Sequence, residues 1–134
     1  MTPEHQDLID GLLARQEQIS DEIIDGTRER LGRVPYIYSA LRCRPETFVL
    51  SALADEKICR PAHLSAKTAE LVATAAAAAT KADACLQVHI EAALREGATR
   101  DEILDVIQIA GLIAKTGVLA TALRSLDDTP KPGS

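Results

Sequence analysis

Leu64–Gly97 reads LSAKTAELVATAAAAATKADACLQVHIEAALREG, and this stretch decides the fold. Its alanine tract has no strand-like alternation, and its residues favour helix. Thr80-Lys81-Ala82-Asp83 interrupts the run, so we read two helices joined by a turn near Lys81–Asp83. Cys85 and His89 are four residues apart on the second helix, a spacing that returns two side chains to nearly the same face. Glu70 lies on the first helix, which the turn would fold back beside the second. A thiol, an imidazole and a carboxylate could then converge in one pocket.

Asp83 is the expected N-cap of the second helix, with Cys85 in the first turn. The partial positive charge there favours a thiolate, as does a neighbouring imidazolium. His89 can accept the thiol proton, and Glu70 can orient or charge-balance the ring. The same residue types also have structural uses. A cysteine on an alanine-rich helix serves as a small buried hydrophobe, and a helical histidine can be a packing or surface residue.

The text AELVATAAAAATKADACLQVHIEAALREGATRDEILDVIQIAG resembles the core of the alkylhydroperoxidase AhpD-like / carboxymuconolactone decarboxylase family. The resemblance covers about half the chain, and more loosely VPYIYSALRCRPE is similar to the family's N-terminal pattern. In the peroxidase branch the core is Glu, then Cys-x-x-Cys, then three residues and His. The resemblance places the family's acid on Glu70, its peroxide-reacting cysteine on Cys85 and its histidine on His89. The first cysteine would fall on Ala82, and a histidine sometimes found before the reactive cysteine falls on Ala84. The chain is therefore a single-cysteine variant with no Cys-x-x-Cys disulfide. The decarboxylase branch keeps the histidine without the cysteine pair.

The chain has 134 residues, enough for one domain. We divide it into N-terminal helices (1–62), a motif core (63–126) and a tail (127–134). Hydrophobic residues make up 46% but aromatics only 2%, so aliphatic side chains and alanine must fill the core. Alanine-rich helices approach closely but bury little area. This motivates a homo-oligomer, and the resemblance implies a trimer or a hexamer built from trimers. A formal charge of −5, with no basic patch and no glycine-rich phosphate loop, argues against nucleic acid or an anionic membrane surface. The N-terminus has no basic, apolar signal pattern. The longest weakly apolar run is read as Leu71–Ala79, far below the roughly 18 residues that span a bilayer. Three cysteines do not suggest a disulfide framework, so a cytoplasmic location is expected.

Elsewhere the chain also reads as helix. Thr2-Pro3 starts the first, and Leu8, Leu12, Ile19 and Ile23 form its apolar stripe. Gly11 and Gly26 mark a bend or an end, and Gly32 followed by Pro35 closes the element. Tyr36–Leu41 is a short helix whose tyrosines either line a pocket or contact, or are half-buried core. Pro45 starts a helix ending near Cys59-Arg60-Pro61. Cys59 and His63 repeat the Cys-x-x-x-His spacing, but Pro61 keeps them off one regular helix, and no metal is expected. Ser65 caps a helix reaching about Ala82, Gly97 ends the next, and Thr99–Glu102 is a capping box. Gly111 and Gly117 interrupt the last run, and a polar tail begins at Ser125. The expected fold is all-α, about six helices, an AhpD-like bundle with a central helical hairpin.

Three functions follow. One is a thiol-dependent peroxidase in which Glu70 and His89 activate Cys85, with an external thiol, Cys43, Cys59 or another subunit completing the cycle. The second is a decarboxylase-type lyase in which His89 and Glu70 do acid–base work on a small molecule bound through Arg42, Arg44 or Arg60. The third is a non-catalytic oligomeric helical protein. None requires a cofactor.

Overall fold

Helix signals in the sequence set most element boundaries in the computed structural model, which describes residues 1–130. Seven helices occur there: α1 (Pro3–Leu13), α2 (Gln16–Leu31), α3 (Tyr36–Leu41), α4 (Pro45–Cys59), α5 (Ala66–Ala79), α6 (Asp83–Arg95) and α7 (Arg100–Asp127). The fold is all-α, as expected. Thr2 caps α1, accepting from the His5 amide, with Pro3 in the first turn. The expected bend at Gly11 does not occur. The break between α1 and α2 falls at Ala14 and Arg15 instead, and Gly11 and Gly26 sit inside helices. Gly32, at φ 74°, closes α2.

The chain divides into two compact units, Met1–Ala69 and Glu70–Ser134. In the first, Ile24, Phe48, Val49 and Ala52 form a buried core. Leu12, Ile19, Ile23, Val34, Tyr38 and Leu53 pack around it, so α2 and α4 are its main walls. The Tyr38 and Phe48 rings meet edge to face, with centroids 5.4 Å apart. Burial pushes the Tyr38 hydroxyl above its usual range, with Asp55 and Cys59 nearby adding to the effect. Tyr38 is thus a core residue, whereas Tyr36 is exposed.

In the second unit Ala93, Ala98 and Ile103 form the buried centre, joined by Leu71, Ile90 and Ile107. Leu71 of α5, Ile90 of α6 and Ile107 of α7 thus meet around one small centre. Two turns fix this unit. After α5, the Ala82 amide donates to the Ala77 carbonyl and the Lys81 amide to Ala78. Lys81 adopts φ 57°, the sole non-glycine residue with positive φ among the described residues. After α6, Ala98 donates to Ala93 and Gly97 to Leu94, with Gly97 at φ 85°. Both pairings are Schellman motifs, and the second has the residue type that the left-handed position favours.

Three boundaries correct the sequence reading. α5 stops at Ala79 rather than Ala82, because left-handed Lys81 ends the helix early. Ala82, not Asp83, is the N-cap of α6, and Asp83 is already its first helical residue. α7 is unbroken through Gly111 and Gly117 and runs past Ser125. Its start has the capping box, with Thr99 and Glu102 each bonded to the other's backbone. Neither glycine supplies a competing turn, and a helical glycine costs only about 1 kcal/mol relative to alanine. Residues 131–134 of the predicted tail lie outside the described residues.

Two substitutions test these assignments. A Cβ at Gly117 would meet nothing within 4 Å. Gly117→Ala is therefore expected to raise stability by about 0.5–1 kcal/mol, read by urea denaturation; a loss would mean that the helix breaks there. Lys81→Gly is expected to be stabilising by a similar amount, about 0.5–1 kcal/mol, by removing the left-handed strain of a Cβ-bearing residue. Lys81→Ala keeps the Cβ and should give no such gain.

Candidate functional site

Glu70 lies on the inward stripe of α5 with Thr74 and Ala77, all three buried. The spacing of four and three residues accounts for the shared face. The Thr74 hydroxyl donates to the Glu70 backbone carbonyl at 2.8 Å, within the buried side of the helix. Sequence reading passed over Thr74, although its position four residues after Glu70 places it on that stripe. A carboxylate so placed must find a hydrogen-bond partner to offset its desolvation.

That partner is His89. Its Nδ1 lies 2.7 Å from Glu70 Oε2, joining residues nineteen apart in the chain. The Glu70 side chain is 7% exposed and the His89 side chain 21%, so the bond is shielded while the ring retains an outward edge. An ionised carboxylate only accepts, which assigns the proton to Nδ1 and leaves the Nε2 lone pair as the basic position. The Schellman turn at Lys81 makes this meeting geometrically possible, because it reverses the chain between the two helices.

Cys85 lies in the first turn of α6, in register with Val88, His89 and Ala92. Val88 and Ala92 are buried, His89 is half-buried, and Cys85 is exposed at the open end of the stripe. Among the described residues no hydrogen bond joins Cys85 to His89. Glu70 and His89 are thus brought into direct contact, and Cys85 lies one turn away on the same helix.

The other residues singled out in the sequence belong to the first unit. Arg42 is ion-paired with Asp21. Cys43 is exposed, Cys59 is half-buried and His63 is exposed. No disulfide joins the cysteines, and among the described residues no group of three or more His, Cys, Asp or Glu side chains is arranged to hold a metal ion.

The model of the carboxymuconolactone decarboxylase family matches residues 45–128, which include Glu70, Cys85 and His89. The looser N-terminal pattern at 34–46 falls almost wholly before that match. The chain is 33% identical over 63 residues to "Uncharacterized protein 4 in cox locus" of Paracoccus denitrificans. That similarity covers 47% of this chain and 57% of the relative, so the chain spans little more than half of the relative's length. No solved structure matches the chain. On the strength of the family match, with its all-helical fold and alanine-rich hairpin, the chain belongs to the carboxymuconolactone decarboxylase family.

Proposed function

We propose that this chain is a thiol-dependent peroxidase in which the Glu70–His89 pair is the general base and Cys85 the nucleophile. The observation that carries the reading is the 2.7 Å bond between His89 Nδ1 and Glu70 Oε2. It fixes the ring's tautomer, with the proton on Nδ1 and the Nε2 lone pair left to accept one. Cys85, four residues earlier on the same helix, is the accessible acid best placed to give up a proton to it.

The step balances without a cofactor. His89 Nε2 takes the Cys85 thiol proton, and the thiolate attacks one oxygen of a hydroperoxide. The S–O bond forms as the O–O bond breaks, and the imidazolium returns its proton to the departing alkoxide. The products are a Cys85 sulfenic acid and an alcohol, or water from hydrogen peroxide. Sulfur is oxidised and the peroxide is reduced. Ala82 has no sulfur to close an internal disulfide. A small external thiol therefore condenses with the sulfenic acid, releasing water, and a second thiol regenerates Cys85.

One observation favours a second reading. The Glu70–His89 bond is complete without the thiol, since no hydrogen bond joins Cys85 to His89. The pair could then do acid–base work on a small carbon acid, in the manner of a lyase, with Cys85 a bystander.

Intact-mass measurement after brief peroxide exposure separates the two. The peroxidase reading expects one added oxygen on Cys85, with no loss of two hydrogens. His89→Ala is expected to slow that oxidation about a hundredfold at neutral pH, in line with the loss of a general base. Cys43→Ser and Cys59→Ser are expected to leave it unchanged. A Cys85 that resists peroxide and titrates near the free-thiol value of about 8.5 would overturn the peroxidase reading and leave the acid–base one.

A further inference from the structure

Lys81 holds a backbone conformation that suits it poorly. At φ 57° it fills the left-handed position that ends α5, and it carries a Cβ there. Glycine or asparagine fills such positions with less strain. The two bonds that close the turn, from the Lys81 amide to Ala78 and from the Ala82 amide to Ala77, are made by backbone groups. The turn therefore does not need a lysine side chain. Backbone strain of this kind is characteristic of functional positions, where a residue is kept for what its side chain does.

Lys81 stands four residues before Cys85, at the same end of the hairpin as the exposed thiol. It is itself exposed, and among the described residues its ammonium has no hydrogen bond or ion pair. It is also the cation of that end of the hairpin. Lys67 and Arg95, the next along the chain, are each fourteen residues away, at the far ends of α5 and α6, about 20 Å along the helices. Asp83, the acid of the same turn, lies about 160° round α6 from Cys85. The Glu70 carboxylate is shielded and bonded to His89, so it meets an incoming molecule less directly than an open acid would.

A positive charge so placed favours reactants of opposite sign. It attracts them over roughly 8–10 Å at ordinary salt, and at contact it pairs with a carboxylate. We propose that Lys81 is a specificity-determining residue whose ammonium holds the carboxylate of the small molecule that reacts at Cys85. On the peroxidase reading, on which this rests, two molecules meet the sulfur in turn, the hydroperoxide and the thiol that removes the oxygen. Either can carry the carboxylate, and the test separates them. The strain at Lys81 is then a loss of stability retained for a charge at the sulfur, a trade common at working sites.

Alkylation of Cys85 reads that charge without any peroxide. Iodoacetate and iodoacetamide react with a thiolate by the same displacement of iodide, and only the first brings a carboxylate. Peptide mass mapping of the full chain follows Cys85 apart from Cys43 and Cys59. Lys81→Gly and Lys81→Gln are expected to lower the iodoacetate-to-iodoacetamide rate ratio about threefold to tenfold at low ionic strength, and Lys81→Arg to keep it. The difference between the parent and Lys81→Gln is expected to vanish at about 1 M salt, where the screening length is about 3 Å. Lys81→Gln keeps the Cβ and removes the charge, so a purely conformational role would move Lys81→Gly alone.

Matched pairs then locate the carboxylate. Mercaptoacetate is compared with mercaptoethanol on the Cys85 sulfenic acid, and a carboxylate-bearing with a neutral alkyl hydroperoxide on the thiol. A Lys81-dependent preference in the first pair puts the carboxylate on the reductant, and in the second on the peroxide. If Cys85 resists peroxide, the peroxidase reading fails, while the alkylation ratio still decides whether Lys81 selects anions. The proposal is overturned if Lys81→Gln leaves that ratio unchanged, if Lys81→Gly alone alters it, or if Cys85 of the parent resists both alkylating reagents. It is also overturned if an oxidisable Cys85 shows a Lys81-dependent preference in neither matched pair.

Discussion

The hydrogen bond between Glu70 and His89 is the constraint around which the second unit is arranged. A carboxylate buried on the inner face of α5 would be costly alone, so α6 must bring a donor to it at close range. The turn at Lys81 brings the chain back so that the two side chains meet. Ala77 on α5 and Ala92 and Ala93 on α6 are buried. The left-handed Lys81 reverses the chain at the one place that aligns positions 70 and 89.

The same arrangement gives Cys85 its character. It shares the face of His89 but lies beyond the buried part of the stripe, at the open end of α6. A thiol there is exposed, while the imidazole one turn on is bonded to a shielded carboxylate. Burial and access are divided between adjacent turns of a single helix. The proposed chemistry depends on that division, and position 82 supplies no sulfur to it.

α7 changes character along its length. Its capped first turns close the core of the second unit through Ile103 and Ile107. Beyond Ala110 the helix continues with nothing from its own unit against it, and its large apolar residues move to the opposite side.

Sequence alone determined the features that depend on local chemistry. Thr2-Pro3, Pro45, Ser65, the Thr99–Glu102 box and Gly97 placed helix ends, because caps act within one turn of the backbone. The four-residue spacing put Cys85 and His89 on one face. The family pattern singled out Glu70, whose pairing with His89 spans nineteen residues and could not be read from spacing alone. Tertiary structure decided the rest. It set how far α5 runs, because a lysine rather than a glycine took the left-handed position. It showed α7 to be continuous, because helical cooperativity along 28 residues outweighs two glycines. It also decided which residues are covered: Glu70 is buried and Cys85 is open, although both sit on inward-facing registers, because burial depends on what packs against a face and not on the face itself.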